Sequence, residues 1–182
     1  MRLLLISLFC VSVITGIVIF LSFVKPLSIQ TNTNILKNYT AQLYFEPQNI
    51  YTVCNNASQS AIINLSTNSR SIQSAQIELS YNPAVFYNLS FVPAPHNVLG
   101  ADNKVDINEI RQNYGRASFV ISTKSTSQQT RTGNVVVLYF NTYPQPSSTS
   151  AVIEFLNKST IQGTSSRSSI LNETSPLTVH CS

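Results

Sequence analysis

The side chains of this chain able to bridge, ligate or catalyse are few: three cysteines, one acidic and amide cluster, and two histidines. Cys54 and Cys181 lie outside the apolar amino-terminal run, and Cys10 lies inside it. Two cysteines so far apart either bridge or remain separate thiols. A zinc site is disfavoured, because His180 beside Cys181 supplies no C-x-x-C type spacing. Asp102, Asp106 and Glu109, interleaved with Asn103 and Asn108, offer oxygen ligands of the kind calcium takes. The D-x-D-x-D-G order and its glycine turn are absent, so the segment reads as a solvated turn and strand. His96 follows Pro93 and Pro95 in a loop-like run, and neither histidine stands in a G-x-S-x-G setting. Seven acidic residues in all leave few carboxylate pairs for glycoside hydrolysis. These residues predict a binding protein, not an enzyme, with no metal and no cofactor.

The elements that must position any site follow from composition and period. Only 10% of residues are charged, there is no Trp, and the net charge of +4 is spread along the chain. Without a basic stripe, nucleic acid is excluded as a partner. Abundant Ser, Thr and Asn suit an exported, strand-rich protein. Residues 3–24 carry no charge, and as a helix they would span roughly 33 Å, enough for a bilayer core. Two readings compete, a cleaved signal and an uncleaved anchor. The run exceeds a signal's apolar core and lacks a small-x-small site, so an uncleaved transmembrane helix is expected. The expected organisation is an anchor in the lipid bilayer over 1–26, a polar linker over 27–40 and a domain over 41–182. The amino terminus would lie inside and the domain outside the cytoplasm.

Within the domain the clearest segment is 75–81. Ala75, Ile77, Leu79 and Tyr81 alternate with Gln76, Glu78 and Ser80, the period of a half-buried strand. Pro83 ends it, and a second apolar run, 85–92, starts almost at once. Further short strands are expected at 41–47, 61–67, 104–110, 116–123, 134–143, 151–156 and 177–181. No segment has a sustained helical period. The prediction is all-β: two antiparallel sheets of about nine strands in a sandwich. Ile77, Leu79, Phe119, Ile121, Val137, Tyr139, Ile153 and Phe155 are the expected core. Six N-x-S/T sequons begin at Asn38, Asn56, Asn64, Asn88, Asn157 and Asn172.

The strand closing in Tyr81-Asn82-Pro83 resembles the Tyr-Asp-Pro strand of cohesin modules. The likeness continues through the strand-Pro opening at 43–47, the strand 61–67, and the glycine-started strand 115–121. It ends with G-N-V-V-V-L-Y-F at 133–140 and I-E-F at 153–155. Asn82 stands where Asp is usual, and 54–58 replaces a customary Gly-Asp. The resemblance implies a nine-strand jelly-roll related to the bacterial cellulose-binding modules. Because terminal strands lie side by side in that fold, it implies a Cys54–Cys181 disulfide. It also implies a dockerin-like protein partner on the outer face of the third, fifth, sixth and eighth strands. Carried over by alternation, that face comprises Gln76, Glu78, Asp106, Asn108, Arg116, Ser118, Val120, Val152, Glu154 and Leu156, with Val120, Val152 and Leu156 as its apolar centre. The expected function is attachment to a partner protein at the cell surface. The alternatives are a polysaccharide-binding module, for which Tyr51, Tyr87 and Tyr114 stand outside the core alternation, and a structural envelope component.

Overall fold

The computed structural model describes residues 40–68, 71–124, 132–164 and 168–182. The expected anchor at 3–24 and the linker up to residue 39 lie outside the described residues. Among those described, no helix is long and apolar enough to cross a membrane.

Among the described residues, twelve strands form two sheets. They are β1 (Ala41–Glu46), β2 (Asn49–Thr52), β3 (Ser58–Thr67), β4 (Ile72–Tyr81), β5 (Phe86–Pro93), β6 (Asn103–Arg111), β7 (Arg116–Thr123), β8 (Thr132–Thr142), β9 (Ser150–Phe155), β10 (Thr160–Gly163), β11 (Leu171–Ser175) and β12 (Leu177–Cys181). The five-stranded sheet runs β11-β1-β3-β8-β5. The seven-stranded sheet runs β2-β12-β9-β4-β7-β6, with β10 also on β4. Every strand expected from the sequence is present. The additional ones, β2, β10 and β11, are short or polar and carry no readable alternation. Inner pairings are antiparallel as expected, but β11 joins β1, and β2 joins β12, in parallel.

The two sheets face each other across one apolar core. Ile77, Leu79, Phe119, Ile121 and Ile153 from one side are fully buried, as are Leu43, Phe45, Ile63 and Leu65 from the other. Rings interlock between the sheets: Phe45 lies 4.9 Å from Phe155 and Phe91 lies 5.2 Å from Phe119. Val137 and Tyr139 are corrections. Tyr139 is 41% exposed, Val137 is half-buried, and the buried residues of β8 are Val135, Val136, Leu138 and Phe140. The register explains this. Ile63 pairs with Val136 and Asn64 with Asn134, so Val135 is an extra residue in a bulge and the phase of β8 shifts by one. A run of consecutive apolar residues gives no alternation from which to read that phase.

The Asn82 carbonyl accepts from the amides of Val85 and Phe86, and the Asn82 side chain accepts from Ala84 N at 3.0 Å. Asn thus closes the turn that hands β4 to β5. Between β6 and β7 a single 3₁₀ turn, Gln112–Tyr114, ends at Gly115 with φ of 59°. A Cβ there would sit 2.1 Å from the Tyr81 carbonyl oxygen, so only glycine fits. At the same end of the sandwich, Cys54 and Cys181 form a buried disulfide with Cα atoms 5.3 Å apart. It ties the segment after β2 to the end of β12, whose Cys181 amide and carbonyl are also bonded to Thr149 and Ser148.

Candidate binding face

The outer face of β9-β4-β7-β6 is read row by row from the pairing. Residues directly opposite in a ladder point the same way. One row is Glu154–Ser80–Arg116–Arg111, and the next is Glu78–Ser118–Glu109. A third is Thr160–Gln76–Val120–Ile107, and a fourth Gln162–Ser74–Ser122–Lys104. Alternate residues of β4 and β7 on the other side of the sheet are buried, which fixes which face is out.

Glu78 is the most constrained side chain of this face. Gln76 Nε2 donates to its Oε1 at 2.9 Å and the Ser118 hydroxyl donates to its Oε2 at 2.5 Å. Its backbone sits where β9 gives way to β10. There the Ser159 hydroxyl accepts from Glu78 N at 3.0 Å and donates to Glu78 O at 3.2 Å. Ser159 therefore substitutes for a missing ladder partner. On β6, Arg111 grips Glu109 through Nε at 2.7 Å and a second nitrogen at 3.2 Å. This holds the Glu109 carboxyl below, and the Arg111 guanidinium above, their ordinary pKa values. The hydroxyl of Ser122, then Lys104 at 3.1 Å, hold the Asp106 carboxyl below its ordinary value. Arg116 and Glu154 are exposed at opposite positions of one row.

The structure brings Gln76, Glu78, Asp106, Arg116, Ser118, Val120 and Glu154 onto this face. Asn108 is a correction. It pairs with the core residue Phe119, and its side-chain amide donates to the Phe91 carbonyl at 3.2 Å, across to the other sheet. A bulge at Asp106 is the cause: Val105 pairs with Ile121 and Ile107 with Val120, leaving Asp106 unpaired between them. The face therefore carries Ile107, Glu109 and Arg111, which alternation alone assigned to the core side or did not assign. A signal was present, because the apolar Val105 and Ile110, both packed against the core, lie five positions apart, an odd offset that strict alternation cannot place on one face. The apolar centre is also corrected. Val120 neighbours Ile107, which is 46% exposed. Val152 lies two residues beyond Glu154, roughly 20 Å from Val120 along the strands. Leu156 follows β9, donates its amide to Glu78 O at 2.7 Å and lines an open cleft with Phe155, Ser159 and Leu171.

No three metal-ligating side chains converge among the described residues. The Asp102–Glu109 segment is split among separate partners: Asn103 bonds Gly100 O, Asp106 bonds Ser122, and Glu109 bonds Arg111. Sequence reasoning missed one polar chain. Ser150 Oγ lies 2.9 Å from His180 Nδ1, and Asn49 Oδ1 lies 3.3 Å from His180 Nε2. The ring of Tyr51 stacks on His180. This group lies across β9, β12 and β2 on the open surface of the sheet, and its cross-strand pairing accounts for it.

No protein-family model and no curated protein matches the chain. Solved structures do. The sixth cohesin of scaffoldin B from Acetivibrio cellulolyticus, in complex with a dockerin, is 14% identical with a TM-score of 0.61; the match covers 79% of this chain and 99% of that one. A type I cohesin–dockerin complex from Clostridium thermocellum contains a chain 14% identical, TM-score 0.59, over 78% of this chain and 91% of that one. A type II cohesin domain from the cellulosome of Acetivibrio cellulolyticus is 16% identical, TM-score 0.58, over 78% and 94%. Two facing sheets in this strand order, matched over nearly the whole of each of these chains, give this protein the fold of the cohesin domains.

Proposed function

We propose that the chain is a cohesin-like, non-catalytic module that captures a dockerin-type protein through the outer face of β9-β4-β7-β6. The observation that carries this reading is the clamped Glu78 row beside the Val120–Ile107 apolar pair. A small apolar centre enclosed by hydrogen-bonded and charged side chains is the anatomy of a protein interface. The similar folds solved in complex with dockerins support it. Among the described residues the four strands of this face expose no aromatic ring, and the exposed Tyr114 stands alone in the β6–β7 turn beyond them, which weighs against a polysaccharide on the same strands. The buried Cys54–Cys181 bridge supports placement outside the cytoplasm, where disulfides persist. Residues 3–24 would then hold the domain at the membrane. The test is affinity capture by the full chain from the secreted proteins of its own source, with captured proteins identified by mass spectrometry. A partner retained by the wild type and by Tyr139→Ala, and lost from Glu78→Lys, supports the reading. Retention by Glu78→Lys overturns it.

A further inference from the structure

The outer face of the five-stranded sheet has a different chemistry. Along β8 and just beyond it, Tyr139, Asn141 and Tyr143 point outward, while Leu138, Phe140 and Thr142 between them are buried. Tyr87 of β5 stands opposite Asn141, and its ring stacks on Tyr143 at 4.3 Å and 24°. The Tyr87 hydroxyl donates to Asn56 Oδ1 at 3.2 Å, and Asn141 Nδ2 donates to the Asn56 carbonyl at 3.1 Å. The Tyr143 amide donates to Val85 O at 2.8 Å. The stacked pair is therefore held in place before any ligand arrives. Ser60 and Ser90 flank Tyr139 in register, one on each side. Tyr139 and Tyr143 are 41% and 42% exposed. No charged side chain lies among these residues, and the uncharged row Val92–Val137–Ile62 continues the surface. Among the described residues, the first charge met in register is Glu46, opposite Ile62 on the far side of β3.

We propose that this face is a second binding site, separate from the protein-docking face, and that its ligand is a neutral polysaccharide. The C–H face of a pyranose ring stacks on an exposed tyrosine, and its hydroxyls pair with serine and asparagine side chains. An anionic glycan or an acidic peptide would find no counter-charge here. The fixed Tyr87–Tyr143 stack reduces the ordering needed on binding. The site is independent of the dockerin reading, since it lies on the opposite sheet.

The test is native affinity electrophoresis of the full chain in gels cast with hydroxyethylcellulose, galactomannan or soluble β-1,3-glucan, with polygalacturonate as the anionic comparison. Retardation is expected in at least one neutral gel. Tyr139→Ala and Tyr87→Ala should each weaken it at least tenfold, while Lys124→Gln, at an exposed position outside both faces, leaves it unchanged. Tyr143→Ala repeats the test if Tyr139→Ala fails to fold. Because the chain has no Trp, ligand-dependent tyrosine fluorescence gives a second readout. Absence of retardation in every neutral gel, stronger retention by polygalacturonate, or undiminished retention in folded tyrosine variants overturns the proposal. So does sedimentation showing that Tyr139→Ala only separates two copies of the chain.

Discussion

Ile107 of β6 stands directly opposite Val120 of β7 on the outer face of the seven-stranded sheet, placed there by the unpaired Asp106. Without that bulge Ile107 would point to the core and Asn108 outward. One inserted residue thus converts a polar edge into a face with an apolar pair, beside the hydrogen-bonded Glu78 and the ion-paired Glu109.

The core makes a first prediction. Ile77 and Leu79 are completely buried between the sheets. Replacing either by Ala should lower unfolding free energy by about 2–5 kcal/mol. Urea denaturation measures this, and a loss near zero would place the residue outside the core.

Gly115 and Gly100 make a paired prediction. Both have positive φ, but a Cβ on Gly115 meets the Tyr81 carbonyl at 2.1 Å, whereas one on Gly100 meets nothing within 4 Å. Gly100→Ala should cost about 1–3 kcal/mol from backbone strain alone. Gly115→Ala should cost more, because β4 and the β6–β7 turn must separate. Thermal melts of the two variants give the order, and equal losses would contradict the geometry.

The disulfide closes a sequence separation of 127 residues. Cys181→Ser should destabilise by about 2–5 kcal/mol. Alkylation under denaturing conditions should leave Cys54 and Cys181 unlabelled before reduction and label both after it. Labelling of Cys54 without reductant would contradict the bridge.

Two carboxyls set a pH dependence. Asp106 is held below its ordinary value by Ser122 and then Lys104, and Glu109 by Arg111. A folded pKa below the unfolded one gives stabilisation that is present above the unfolded values, about 3.9 and 4.3, and is lost as pH falls through the folded ones. Both groups are exposed, so the contribution is small and screened by salt. Carbon NMR titration should find both midpoints below those ordinary values. Ser122→Ala should raise that of Asp106 and leave Glu109 unmoved.

The sandwich was legible where side chains alternate. Ala75, Ile77, Leu79 and Tyr81 against Gln76, Glu78 and Ser80 fixed β4, and the same period fixed β7. The legible part of the site is therefore the part on those strands: Gln76, Glu78, Arg116, Ser118 and Val120. Bulges hid the rest. Val135 shifts β8 and brings Tyr139 to the surface, and Asp106 shifts β6 and turns Asn108 inward. A bulge adds one residue without changing composition, so local pattern reading passes over it. β2, β10 and β11 were hidden for another reason. They are brief edge or flanking strands, held by backbone pairing more than by a buried stripe.

The most direct measurement is the affinity of the captured partner for the double variant Ile107→Asp with Val120→Asp. Both positions are on the outer face, so the fold should persist, which circular dichroism and a thermal melt will show. Loss of about 2 kcal/mol or more, roughly thirtyfold in Kd, is expected for a central apolar pair. Unchanged binding by the folded double variant would contradict docking on this face.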